Sequence, residues 1–84
     1  IEALGDAGVK HGLPRAMAYR LAGQMVAGTG RMQVETGAHP GAMKDAVCSP
    51  GGTTIEGVLS LKADGLETAV QNAVDAAVEK DSKL

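Results

Sequence analysis

Apolar and small residues recur along this chain at helical intervals, and the breaks between runs fall at glycine and proline. Ile1, Leu4 and Ala7 or Gly8 share one face of a first helix, which Gly12 and the following Leu13-Pro14 bring to a stop. Pro14 suits a first helical turn, where its missing N–H costs nothing. From there Met17, Leu21, Met25 or Gly28, and Met32 predict a long amphipathic helix that runs to about Thr36 and ends at Gly37. Gly23, Ala27 and Gly30 lie along another part of the same helix. Each internal glycine costs roughly 1 kcal/mol against alanine, and close helix–helix contact would compensate, so this helix is expected to be an interface.

His39-Pro40 opens a short helix carrying Met43 and Val47, broken by Pro50, which lacks an N–H and disfavours helical geometry at the residue before it. A small-residue loop from Ser49 to Thr53 follows. Thr53 with Glu56 three residues on matches a capping box, and Ile55, Val58, Leu59 and Leu61 continue a helix to about Ala63. Asp64 with Glu67 repeats that start signal across Gly65. Leu66, Val70, Ala73 or Val74, and Ala77 or Val78 then make a last amphipathic helix, expected to fray from Lys80 to Leu84. No segment alternates with period two between turns, so the fold class is all-α, a single helical domain over residues 1–84 with a long central amphipathic helix.

Composition changes this picture in one respect. The chain has 84 residues with no Trp or Phe, Tyr19 as its single aromatic, and 12 glycines, while 44% of it is still apolar. A chain this short buries a modest share of its surface, and small side chains add little at about 25 cal/mol per Å². An obligate oligomer, in which a second chain completes the core, is therefore expected. A net charge of −2 with scattered basic residues argues against nucleic acid. One cysteine excludes an intramolecular disulfide framework and fits a reducing, cytoplasmic setting. No apolar run approaches the ~20 residues of a membrane span, and no signal segment opens the chain. The opening, Ile1-Glu-Ala-Leu4, already reads as helix interior, as expected of a piece of something longer.

The candidate chemistry lies in the loop. Ser49, Pro50, Gly51, Gly52, Thr53 and Thr54 stand directly before a helix start, where unpaired N–H groups and the helix dipole favour a carboxylate or phosphate. Gly51 and Gly52 allow positive φ or close approach of a ligand, and the three hydroxyls donate or accept. An equally available reading is an ordinary connection whose threonine caps a helix and whose glycines turn the chain. There is no GxxxxGK[ST] spacing and no strand–GxGxxG–helix setting, and Gly28-Thr29-Gly30 sits mid-helix, so no nucleotide site is expected in this chain.

Other reactive side chains read as structural. Cys48 has only His11 and His39 as possible bases, neither placed by local sequence to orient it, and is expected to be a buried, inert thiol. His39 before Pro40 reads as a loop or capping residue. The histidines, Cys48 and the carboxylates lack metal-ligand spacing. Ser49 has no Ser-His-Asp context, so hydrogen bonding outranks nucleophilic attack. Met17, Met25, Met32 and Met43 read as core or interface filler, and Glu79 to Lys83 as a solvated helix end.

Three blocks carry a resemblance: Gly8-Val-Lys-His-Gly-Leu-Pro-Arg15, His39-Pro-Gly-Ala-Met-Lys-Asp45, and Val47-Cys-Ser-Pro-Gly-Gly-Thr-Thr-Ile-Glu-Gly-Val58. In order and spacing they resemble the C-terminal half of pyrroline-5-carboxylate reductase, over essentially the whole chain. The resemblance implies a helical domain that interleaves with a second chain as a homodimer, with a higher oligomer of dimers left open. It also implies an N-terminal Rossmann domain, absent from this chain, and reduction of 1-pyrroline-5-carboxylate to L-proline with NAD(P)H.

It further implies roles for matching residues. Thr54 would be the catalytic hydroxyl that hydrogen-bonds the substrate's ring nitrogen. Ser49 with the backbone N–H groups of Gly52 and Thr53 would hold the substrate carboxylate, with Gly51 completing the substrate-binding set. Lys44 and Val47 would serve at the helix end and in packing. Some relatives place a carboxylate three residues before the Pro that matches Pro40, where this chain has Gly37, so that role does not transfer. The chain alone is expected to bind no cofactor or metal and to turn over no substrate. The competing expectation is a non-catalytic helical module for self-association.

Overall fold

The structure, a computed structural model, describes residues 1–81. Among them five helices follow one another: α1 (Glu2–Lys10), α2 (Arg15–Thr36), α3 (Pro40–Val47), α4 (Thr53–Ala63) and α5 (Leu66–Lys80), with no strand. The all-α expectation is met, and α5 stays helical through Lys80; of the tail expected to fray, residues 82–84 lie outside the described residues. None of these helices is long and apolar enough to cross a membrane. The chain divides into two compact units, Ile1–Met43 and a second from Lys44 onward.

In the first unit, α1 ends as its sequence directs. The Gly12 N–H bonds to the Val9 carbonyl at 3.0 Å and the Leu13 N–H to the Gly8 carbonyl at 3.0 Å. These two bonds, with Gly12 at φ +103°, form the Schellman arrangement that satisfies otherwise orphaned carbonyls. Pro14 stands one position outside α2, as its N-cap, so Arg15 is the first helical residue. At the far end Gly37 takes the left-handed conformation, and the 22-residue helix spans about 33 Å.

Helix α1 packs on α2 through Gly8, one of the positions the periodicity offers, and otherwise through residues it does not single out. Gly5 is buried, Ala18 and Ala22 keep 3% and 6% of their exposure, and a Cβ built on Gly8 would lie 3.2 Å from that of Ala18. Small residues face one another and the helices approach closely. Ile1, Leu4, Met17, Leu21, Met25 and Met32 all remain exposed, Met25 at 53% and Met32 at 57%. A fully buried Leu or Met contributes roughly 1.5–3 kcal/mol, and these side chains do not collect it within this chain. As filler, these three methionines are therefore not part of the chain's own core; Met43 is half-buried. Likewise a Cβ at Gly23, Gly28 or Gly30 would meet nothing within 4 Å beyond its own helix's backbone among the described residues, so those positions mark no close helix contact there.

Across the turn between α1 and α2, the Tyr19 hydroxyl donates to Asp6 Oδ1 at 2.7 Å, and Arg15 Nη1 donates to both the Tyr19 oxygen (2.7 Å) and Asp6 Oδ1 (3.1 Å). The Arg15 guanidinium lies 5.6 Å from the centre of the Tyr19 ring. The hydrogen bond from Tyr19, with help from Arg15, holds the Asp6 carboxyl below the usual carboxylate range, while the same bond to Asp6 pushes the Tyr19 phenol up.

In the second unit, α4 turns into α5 at Gly65, whose φ of +78° makes it the N-cap of α5. This overturns the expected capping box of Asp64 with Glu67: Asp64 ends α4 and no side chain caps α5. The left-handed position falls where glycine adopts it without a Cβ penalty, and that sets the boundary. Glu67 instead accepts from Lys62 Nζ at 2.6 Å across the corner; this bond lowers the Glu67 carboxyl and raises the Lys62 ammonium. Leu59, Leu61, Leu66, Val70, Val74 and Val78 are exposed, so this unit too leaves most of its large apolar side chains uncovered.

Candidate functional site

The loop between α3 and α4 is built by local sequence. Helix α3 ends at Val47, and the Cys48 N–H reaches back to the Asp45 carbonyl at 3.2 Å. Pro50 then blocks continuation. The Gly52 N–H bonds to the Ser49 carbonyl at 3.0 Å, closing a four-residue turn with Pro50 second and Gly51 third. Gly51 takes φ +69°, the conformation a type II turn demands at its third residue and that glycine supplies without strain.

Gly52 departs from this pattern. Its backbone is extended, φ −81° and ψ 172°, and it serves as the N-cap of α4. Any residue adopts that conformation, so φ is not what requires glycine here. A Cβ at Gly52 would overlap the Ser49 hydroxyl oxygen. The bare α-carbon of Gly52 thus seats the Ser49 side chain at the mouth of α4.

The expected capping box of Thr53 with Glu56 does not form. Thr53 is the first helical residue, one position too late to cap, and no side chain bonds to the α4 N-terminus. The reason lies one residue earlier, where the extended Gly52 already occupies the cap position. In consequence no described residue accepts from the N–H groups of Thr53, Thr54 or Ile55. Thr53 and Thr54 are exposed, Ile55 and Val58 half-buried. Three donors aimed along a helix axis at solvent favour negative charge, an effect of about 0.3–1 kcal/mol at an exposed site. Glu56 in the first turn is the one acidic residue sharing that field.

The turn gathers Ser49, Gly51, Gly52, Thr53 and Thr54 within one stretch, but it sorts them. The Gly52 N–H is engaged by the Ser49 carbonyl, so the carboxylate donor expected there is already taken, while the Thr53 and Thr54 N–H groups are not. Cys48 is half-buried, not buried as expected. Val47 is exposed, so its packing role is not met within this chain, and Lys44 sits in the last turn of α3 where its charge suits the dipole. Its Nζ lies 3.4 Å from Asp45.

Neither histidine stands in the loop. His11 is the residue that closes α1, its N–H bonded to the Ala7 and Gly8 carbonyls. His39 caps α3: its Nδ1 accepts the Gly41 N–H at 2.9 Å. Among the described residues no three His, Cys, Asp or Glu side chains are grouped to hold a metal ion.

Fold and loop together define an all-helical chain with large apolar side chains left exposed and a donor-rich helix start. The pyrroline-5-carboxylate reductase dimerisation family model matches residues 1–84. The chain is 55% identical, over its whole length, to pyrroline-5-carboxylate reductase of Escherichia coli strain K12, and 50% identical to that of Arabidopsis thaliana. It covers 31% and 30% of those two proteins. Among solved structures, 1-pyrroline-5-carboxylate reductase from Streptococcus pyogenes superposes with a TM-score of 0.92 at 40% identity, over 99% of this chain and 32% of that one. The Plasmodium falciparum pyrroline carboxylate reductase with NADP bound gives 0.88 at 40% identity, over 94% of this chain and 30% of that one. The chain belongs to the pyrroline-5-carboxylate reductase dimerisation family, and it spans about a third of the length of the curated relatives it matches.

Proposed function

We propose that these residues act as one domain, the dimerisation and substrate-carboxylate-binding part of a pyrroline-5-carboxylate reductase working in a reducing, cytoplasmic setting. The whole enzyme would reduce 1-pyrroline-5-carboxylate to L-proline with NAD(P)H. The observation that carries the substrate reading is the pair of unpartnered N–H groups at Thr53 and Thr54, beside a Ser49 hydroxyl seated on Gly52. The Ser49 hydroxyl and the Thr53 N–H hold the carboxylate, Gly51 and Gly52 shape the turn that brings them together, and the Thr54 hydroxyl meets the ring nitrogen. A planar ring fixed at two points presents one face, so this chain's contribution to catalysis is orientation.

Among the described residues there is no strand to present a glycine-rich turn, so no step through the nicotinamide is assigned to them. Self-association has separate support in the family match and in the exposed Met25 and Met32 of α2.

The test is a titration of the isotopically labelled chain with L-proline, in which the Thr53 and Thr54 amide resonances are expected to shift. Weak binding is expected. Silence at those amides up to high millimolar proline would leave self-association as the chain's whole role. In a full-length relative, Thr54→Ala is expected to lower kcat/KM about 10- to 100-fold with little change in Tm.

A further inference from the structure

Helix α3 has eight residues, Pro40–Val47, and none of them is buried. Two turns of helix lie below the length that sustains itself in water, so the fate of such a helix is decided at its ends. Its N-terminal end is held by His39 in three ways. The His39 carbonyl accepts the Met43 N–H at 3.1 Å, the first helical bond. Its Nδ1 accepts the N–H of Gly41, the second helical residue, at 2.9 Å. The ring lies against the bare α-carbon of Gly41, where a Cβ would stand 3.0 Å from Nδ1 and 3.1 Å from Cε1. Because a backbone N–H can only donate, Nδ1 must be the acceptor, which places the proton of the neutral ring on Nε2. Pro40 between them has no N–H to satisfy and is already set for a first helical position.

The other end of α3 is the entry to the turn. The Cys48 N–H bonds to the Asp45 carbonyl, and the next residue is Ser49, whose carbonyl closes the turn. Formation of so short a helix is nearly all-or-none, so losing the cap loosens both turns and with them the Asp45 carbonyl that anchors Cys48. We infer that His39 is a positioning residue: its imidazole, clasped on Gly41, holds α3 and so sets where Ser49 enters the loop. This rests on the reading of that loop as the holder of a substrate carboxylate.

Amide hydrogen exchange and resonance positions of the 84-residue chain test it. His39→Ala is expected to speed exchange at Met43–Cys48 roughly fivefold, the factor that corresponds to losing one N-cap. It should also displace the Ser49–Thr54 resonances and leave the α1 amides Gly5–Val9 unchanged. His39→Asn, which keeps a side-chain acceptor suited to a cap, should restore both. In the wild-type chain the His39 ring should show a bare Nδ1 and a protonated Nε2. Should His39→Ala unfold the chain, Gly41→Ala, which sets a methyl group against the ring, is expected to displace the same loop resonances. Loop resonances that stay in place while α3 loses protection, unchanged α3 exchange, or failure of His39→Asn to restore would each overturn the inference. Proline titration keeps the two readings apart. A loop moved by His39→Ala in a chain that never binds proline defeats the substrate reading alone. Proline binding that His39→Ala leaves unchanged defeats the positioning of Ser49 alone.

Discussion

The Tyr19 ring lies over the bare α-carbon of Gly5, so closely that a Cβ on Gly5 would overlap the ring. Tyr19 is the chain's one aromatic side chain, and this contact fixes it where its hydroxyl meets Asp6. The α1–α2 pair is thereby locked by a large side chain on one helix and the absence of a side chain on the other.

Gly5→Ala is expected to destabilise the chain even though alanine is the better helix former. The propensity gain is about 1 kcal/mol and the overpacking cost about 1–3 kcal/mol, so the net loss is up to about 2 kcal/mol. Thermal melts of Gly5→Ala in the wild-type and Tyr19→Ala backgrounds check it. In the second background the clash is gone and the same substitution should raise Tm.

The Asp6–Tyr19 bond sets a pH window. Asp6 has a lowered carboxyl, so its contribution is present above the ordinary carboxylate value of about 4 and is lost as pH falls through the lowered folded one. Tyr19 has a raised phenol, so its contribution is present below about 10 and is lost as pH rises through the raised folded value. The Tm difference between wild type and Tyr19→Phe should therefore be level from pH 5 to 9 and narrow at both extremes. A difference that is flat to pH 2 would remove Asp6 from the account. The bond is exposed although Tyr19 itself is half-buried, so the effect is small and salt-sensitive.

Gly51 and Gly52 should fail for different reasons. Gly51→Ala strains a left-handed backbone and is expected to cost about 1 kcal/mol wherever the Ser49 hydroxyl points. Gly52→Ala keeps an unstrained φ but drives the Ser49 hydroxyl from its seat and sets a Cβ 3.2 Å from the Ser49 carbonyl oxygen, so Ser49→Gly should rescue Gly52→Ala in part and Gly51→Ala not at all. Melts of the two double variants decide this.

Met25 lies half-exposed on α2. On a monomer's surface Met25→Glu would change stability by less than about 0.5 kcal/mol, whereas at a dimer interface it buries a charge. Sedimentation at micromolar concentration should find wild type as a dimer or larger and Met25→Glu as monomer or unfolded chain. A dimeric variant of unchanged Tm would move the interface away from this face of α2.

Much of the fold is legible in the chain itself because its signals are local. Gly12, Gly37, Pro14 and Pro40 mark helix ends through φ restrictions and missing donors, and each lies within two residues of the boundary observed. The turn at Ser49–Gly52 is legible for the same reason, since Pro50 then Gly51 admits few backbone paths. Both capping boxes failed by one residue: a helix start is a competition, and at Gly52 and Gly65 the glycine backbone took the position that Thr53 or Asp64 was expected to hold. His39 was legible as a capping residue, but its dependence on Gly41 was not, because a ring resting on a bare α-carbon leaves no periodic trace.

What the sequence determined by itself, then, is five helices, where they stop, and a hydroxyl-flanked turn before α4. Tertiary structure alone decided which residues touch. It set Gly5, Ala18 and Ala22 beside Gly8 in the α1–α2 contact, left the Leu and Met stripe of α2 uncovered, and gave the N–H groups of Thr53 and Thr54 no acceptor among the described residues. The physical reason is that hydrophobic periodicity reports which faces shun water without saying what covers them. Close approach goes to the smallest side chains, and large apolar ones left exposed are suited to burial by a second chain.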